Sequence, residues 1–222
     1  LTCVGADEER IKDFVKQLEA GKVHNIMALR GDPPKGMTDF TPDNECFQYG
    51  SDLVRFLRNE HPELGIGVAG YPEKHPQAPD MATDLKNLKL KLDQGGDFVV
   101  TQLFFDNQFY FDFVEQCRAV GITQPIVPGI LPILSLKSVQ RMSELCGSAI
   151  PANLLEVLTE ADKGPDGAKE VERLGIEHAK DQVRDLLKRG APGVHLYTLN
   201  KADACLRIIR DPEICKAFGL SL

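Results

Sequence analysis

The chain has 222 residues, 42% of them apolar and 27% charged, with a formal net charge of −7. This is enough apolar material for one substantial core, and it excludes a disordered or fibrous chain. The acidic balance argues against a nucleic-acid surface, which needs clustered Lys and Arg, and no apolar run approaches the roughly 20 residues that cross a bilayer.

Leu1-Thr2-Cys3-Val4-Gly5 reads as the tail of a strand, and a charged helix follows from about Asp7 to Ala20. Val23 to Leu29 is the next strand. It ends in Arg30-Gly31-Asp32-Pro33-Pro34, a turn that delivers a guanidinium and a carboxylate to a rim; taken alone, the motif reads equally as an ion pair in a stiffened loop. A polar loop runs to about Gln48, and Ser51 is expected to cap a helix through Asn59. Gly65 to Gly70 is a short strand of small residues leading into Tyr71-Pro72-Glu73-Lys74-His75-Pro76. Asp80 to Gln94 has a helical period, with Met81, Leu85, Leu88 and Leu92 on one side and Gly95-Gly96 as its stop.

Phe98 to Phe105 is a strong β run and is followed by an aromatic helix from Asn107 to Val120. Ile126 to Leu131 is a strand that meets Pro132. Helices from about Ser135 to Leu145 and Pro151 to Thr159 come next, then a break at Asp162 to Gly167 and a long amphipathic helix from Ala168 to Arg189. Val194 to Leu199 is the last strand, and a final helix starts at Asn200.

Six strands, each followed by helix and each nearly continuously apolar, predict a parallel α/β sheet buried on both faces. No Gly-x-Gly-x-x-Gly follows a strand, which weakens a dinucleotide fold. Polar or aromatic residues close strand after strand, which favours a (β/α)8 barrel. Such a barrel needs eight units, typically about 250 residues. The expectation is therefore a single barrel domain over residues 1–222 carrying about six of eight βα units, with two missing from its front. Cys3, Cys46, Cys117, Cys146, Cys205 and Cys215 form no Cys-x-x-Cys pair, so reduced thiols in a cytoplasmic protein are expected. The five histidines lack metal-ligand spacing, and no metal site is expected.

The strand ends carry Arg30-Gly31-Asp32, Tyr71 with His75, Gln102, Leu131-Pro132 and Tyr197-Thr198-Leu199-Asn200. In this order, with Leu1-Thr2-Cys3 before them, they resemble the methylenetetrahydrofolate reductase family, flavin enzymes on an eightfold α/β barrel. The resemblance covers nearly the whole chain, beginning at the family's third strand. It implies FAD as cofactor, NADH or NADPH as co-substrate, and ping-pong hydride transfer through the flavin N5 that reduces 5,10-methylenetetrahydrofolate to 5-methyltetrahydrofolate. The only partners it implies are small-molecule folate and nicotinamide substrates, with no nucleic acid and no membrane; a homo-oligomer is expected.

Residue by residue, the resemblance implies flavin contacts at Arg30, Gly31, Asp32, Tyr49, Gly50, Tyr71, His75, Ala78, Asp84, Asn87 and Lys91. Asp84, Asn87 and Lys91, spaced by three and four, share one helix face; without the family that face reads as a solvated stripe. The catalytic positions are Asp32, whose charge would favour a cationic methylene-iminium of the folate, and Gln102, an amide for pterin or nicotinamide. Substrate contacts are implied at Asp32, Gln102, Leu136, Tyr197 and Lys201. Three positions depart from the family pattern: Leu90 stands where relatives often have a basic residue, Leu136 where some have an aromatic, and Lys201 where arginine is frequent. The family's general-acid glutamate would precede Leu1, and Glu45, Glu60 and Glu73 are not expected to replace it. The alternatives are a catalytically incomplete flavin- or folate-binding barrel or partner subunit, and a different flavin barrel such as a proline dehydrogenase.

Overall fold

The computed structural model of the protein describes residues 1–32 and 47–219; Pro33, Pro34, Glu45 and Cys46, named above, lie outside the described residues. The elements in chain order are α1 (Glu8–Ala20), β1 (Asn25–Ala28), α2 (Gly50–Glu60), β2 (Gly65–Gly70), α3 (Met81–Asp93), β3 (Phe98–Leu103), α4 (Asn107–Ala119), β4 (Ile126–Ile130), α5 (Leu136–Cys146), α6 (Ala152–Asp162), α7 (Gly167–Lys188), β5 (His195–Leu196), α8 (Ala202–Ile209) and α9 (Pro212–Ala217).

The sheet follows from the strand sequences. In β3, Val99, Val100 and Thr101 are buried consecutively, as Ile66, Gly67 and Val68 are in β2, so both faces of these strands are covered and the pattern is that of a parallel sheet. All four pairings are parallel, and the order is β1-β2-β3-β4-β5 without reversal. A doubly wound sheet would reverse order at a switch point. Sequential winding is instead the arc of a barrel, and it continues past β1 through a single parallel bridge between Thr2 and Leu29. Among the described residues the six expected strands are thus five strands and a bridge.

Ile11 and Val15 of α1, Leu53 and Leu57 of α2, Leu85 and Leu88 of α3, and Ile176 and Val183 of α7 join Ile66, Val68, Ile126 and Ile130 of the sheet in one core. A second cluster gathers Leu103, Phe105, Leu131, Ile133, Val139, Leu158 and Val171 at the carboxyl ends of β3 and β4. Phe104 and Phe105 are fully buried, as expected of core aromatics.

The structure changes three local expectations. Ser51 does not cap α2: the Asp52 carboxylate accepts the N–H groups of Gln48 (3.1 Å) and Tyr49 (2.9 Å), which moves the helix start to Gly50. The last strand is two residues long rather than six, because Leu199 and Asn200 take left-handed φ values of 45° and 61° and turn the chain into α8. α9 was not foreseen; Asp211 starts it by accepting from Glu213 N (3.1 Å) and Ile214 N (3.3 Å).

Candidate functional site

Parallel pairing sets every strand's carboxyl end on one edge, and the polar residues singled out in the sequence line it. At the end of β1, Gly31 has φ 89°, and a Cβ there would lie 2.7 Å from the Val4 side chain, so only glycine passes this turn without strain. The turn presents Asp32 exposed and sends Arg30 Nη2 to Gln77 Oε1 (2.9 Å) in the next loop.

That loop, between β2 and α3, is held mainly by its own bonds. Lys74 N–H donates to the Tyr71 carbonyl (3.1 Å), Lys74 Nζ to the Ala78 carbonyl (2.6 Å), and Ala78 N–H to the His75 carbonyl (2.9 Å). Gln77 N–H donates to His75 Nδ1 (3.0 Å), which leaves the proton of the neutral ring on Nε2. His75 N–H in turn donates to Asp84 Oδ2 (2.9 Å) on α3, and the Tyr71 and His75 rings meet edge-on at 4.5 Å. Lys91, about two turns further along the helix, donates Nζ to the Ala69 carbonyl of β2 (2.5 Å).

The electrostatics follow from desolvation. Burial, with the charges of Asp84 and Asp32, pushes the Tyr71 hydroxyl up to about 12, so it stays protonated. Burial pulls the Lys91 ammonium down to about 8 against the opposing pull of Asp84. It also lowers His75, which Asp84 counteracts and Arg30 reinforces.

On the other side of the rim, the β3–β4 register slips between Val100 and Leu103, a bulge at Thr101-Gln102 of the kind that re-aims side chains beside active sites. Gly129 N–H donates to the Thr101 hydroxyl (2.9 Å), and the Thr101 carbonyl accepts the Tyr197 hydroxyl from beyond β5 (2.9 Å). Burial, followed by the proximity of Cys146 and Tyr71, raises Tyr197 to about 12. Gln102 turns its Oε1 to its neighbour's N–H on Leu103 (3.0 Å). Between α5 and α8 lies a cavity of about 190 Å³, with Leu131, Pro132 and Val139 among its apolar lining and Ser135, Thr198 and Lys201 among its polar lining.

Arg30, Asp32, Tyr71, His75, Ala78, Asp84 and Lys91 therefore come together around the β1 and β2 ends, and Tyr197 and Lys201 around the cavity. The mutual influence of Tyr71, Tyr197 and Cys146 joins the two halves. Gly50 starts α2 beside the Arg30 backbone, while Tyr49 and Asn87 stand exposed. Leu136 packs on the second core cluster instead of lining the cavity. Thr101 and Gly129 were missed; a buried threonine inside an otherwise apolar strand was the available signal. Glu19, His61 and Glu63 also bring ligand atoms within 4.8 Å of one another, away from this rim, where His61 Nδ1 pairs with Glu19 at 3.1 Å.

Residues 1–212 match the family model described as methylenetetrahydrofolate reductase. The chain belongs to the methylenetetrahydrofolate reductase family. It is 39% identical, over 99% of its length, to a probable methylenetetrahydrofolate reductase (NADPH) of Caenorhabditis elegans, of which it covers 32%. It is 40% identical to methylenetetrahydrofolate reductase (NADH) 1 of Arabidopsis thaliana (94% of this chain, 36% of that one). Against 5,10-methylenetetrahydrofolate reductase of Escherichia coli the identity is 35%, over 91% of this chain and 65% of that one. It thus spans about a third of its animal and plant relatives and two thirds of the bacterial one. A solved Clostridium thermocellum protein, described as binding two copies of 5-methyl-5,6,7,8-tetrahydrofolic acid, shares the fold, with a TM-score of 0.53 and 17% identity over 85% of this chain and 71% of that one.

Proposed function

We propose that this family member reduces 5,10-methylenetetrahydrofolate to 5-methyltetrahydrofolate with NADH or NADPH, using FAD held at the carboxyl edge of a single (β/α)8 domain in the cytoplasm. Family membership supports the reaction. The observation that carries the site is the meeting of Asp32, Tyr71, His75, Asp84 and Lys91 on one rim, across from Gln102 and Tyr197. The relatives' names differ between NADH and NADPH. The five described cysteines are free thiols. No helix among the described residues is long and apolar enough to cross a membrane.

The residues present fit a flavin dinucleotide. Lys91 and Arg30 bring cations for a diphosphate. Asp84 uses one carboxylate oxygen on His75 N–H and keeps the other to accept from hydroxyls. The exposed Leu90 takes no charged part. When bound, the flavin would supply the hydride relay between nicotinamide and folate. Asp32 favours positive charge on the folate, Gln102 has its Nε2 donor for pterin or nicotinamide, and Lys201 beside the cavity attracts the carboxylates of the folate tail.

A second reading, a flavin- or folate-binding barrel that lacks its own proton donor, draws on the glutamates. Glu60 pairs with Lys12 (3.1 Å), and Glu73 accepts the Ala149 N–H on one carboxylate oxygen (2.8 Å) while its other oxygen is buried. The visible spectrum of the purified protein separates the readings. Flavin bands bleached anaerobically by NADH or NADPH and restored by methylenetetrahydrofolate support the first. Bands that bleach without being restored support the second, and bleaching by proline points to another amine dehydrogenase. A colourless protein that takes up no added flavin sinks both flavin readings.

Lys91 gives a prediction with a definite sign. Its ammonium is charged below about pH 8, and a diphosphate favours that form. FAD affinity should be level below about pH 8 and fall by up to about tenfold per pH unit above it. Lys91→Ala should bind FAD more weakly and lose this slope. Fluorescence titration across pH checks both, and unchanged affinity would leave Asp84 and Lys91 as structural ties to His75 and Ala69 only.

A further inference from the structure

Glu73 lies in the loop that carries Tyr71 and His75, and it reaches out of that loop. Its Oε2 accepts the N–H of Ala149, 76 residues later, at 2.8 Å. Ala149 belongs to the corner between α5 and α6, and that corner is itself fixed to the sheet. The Ser148 hydroxyl donates to the Leu103 carbonyl at the end of β3 (2.7 Å, buried), and the Ser143 hydroxyl donates to the Ser148 carbonyl. Leu103 directly follows Gln102. The path from Glu73 through Ala149, Ser148 and Leu103 therefore runs from the Tyr71–His75 side of the rim to the Gln102 side.

The other described side-chain and turn bonds of this loop stay within it, reach α3 through Asp84, or reach Arg30 through Gln77. The carboxyl is held there at a cost. Its Oε1 is buried with no partner among the described residues, and burial, with the charge of Asp106 added, pushes the group up while the Ala149 N–H pulls it down. An oxygen desolvated without a partner costs free energy, and the one hydrogen bond that this half-buried carboxyl makes is the tie between the loop and the corner.

We infer that Glu73 is a positioning residue, which anchors the β2–α3 loop to the α5–α6 corner and so sets Tyr71 and His75 relative to Gln102. This rests on the reading of that rim as a flavin site. FAD affinity, read by fluorescence quenching in the purified protein, should fall about five- to tenfold in Glu73→Ala, the scale of one ordinary hydrogen bond. Glu73→Gln, whose amide oxygen accepts the same N–H, should recover to within about twofold. Ser148→Ala should weaken binding to a similar extent, and the double variant should lose less than the product of the two, because both cut one path.

Glu73→Ala binding FAD like the parent protein, or Glu73→Gln faring no better than Glu73→Ala, overturns the proposal. If Glu73→Ala does not fold, Ser148→Ala decides, and undiminished affinity there overturns it equally. A parent protein that binds no FAD defeats the flavin reading instead. Amide exchange at Lys74, Gln77 and Ala78 then tests the anchor alone: faster exchange in Glu73→Ala with recovery in Glu73→Gln supports it, and no change overturns it.

Discussion

Gly129→Ala is expected to destabilise the protein by about 3 kcal/mol or more and to displace Tyr197 from the rim. A Cβ at this position would sit 2.3 Å from the Thr101 carbonyl oxygen and 2.7 Å from the Tyr197 ring. The carbonyl is main chain of the neighbouring strand, and it cannot retreat alone: the same residue accepts Gly129 N–H on its hydroxyl and the Tyr197 hydroxyl on its carbonyl. Relief means parting β3 from β4 or pushing the tyrosine out, which adds the loss of one or two hydrogen bonds, each about 1 kcal/mol, to the overpacking. Tyr197→Phe, which loses one of those bonds and adds no volume, should cost only about 1 kcal/mol. Urea unfolding of both variants checks the contrast. A Gly129→Ala midpoint no lower than that of Tyr197→Phe would mean that the strands give way easily and that Tyr197 is not held by them.

The barrel arc was legible because its signals are local. Strand and helix alternate by periodicity, small and branched residues mark strands buried on both faces, and no glycine fingerprint opens a helix. Bonds between distant residues had no such signal. Tyr197 meets Thr101 across 96 positions and Glu73 meets Ala149 across 76, and nothing in either neighbourhood names the other partner.

Local rules also failed where a neighbour overrode them. Ser51 has the preferred cap chemistry, yet Asp52 one residue later takes the Tyr49 N–H. Val194 to Leu199 is composed like a strand, but Leu199 turns left-handed, a conformation that its residue type does not announce. Asp211-Pro212 did announce a helix start, with Asp as cap and Pro in the first turn, and this was overlooked. At the site, Asp84 and Lys91 were visible as a helix face, and the tertiary structure adds their anchors on His75 and Ala69. Leu136, carried over from the family, turns instead to the second core cluster, which also takes Val139 from the first turn of α5.

On the proposed reaction, Asp32→Asn is expected to lower kcat/KM for methylenetetrahydrofolate about thirtyfold, while kcat/KM for the nicotinamide changes less than about threefold. Asp32 is exposed at the end of β1, and its charge reaches into the rim, where it raises both Tyr71 and Cys146. A carboxylate about 6 Å from a developing cation, at an effective dielectric near 20, contributes about 3 kcal/mol, which solvent at an exposed position reduces to about 2. That is about thirtyfold in rate, and it applies to the folate, whose ring opening passes through an iminium cation; a neutral amide of the same shape cannot supply it. Stability should change by less than about 0.5 kcal/mol, because the substitution is isosteric and exposed. The Tyr71 hydroxyl provides an independent readout: with one of the charges that raise it removed, it should titrate at lower pH in the variant. Equal losses for both substrates would defeat the electrostatic account, and an unmoved Tyr71 titration would mean that the field of Asp32 does not reach the rim.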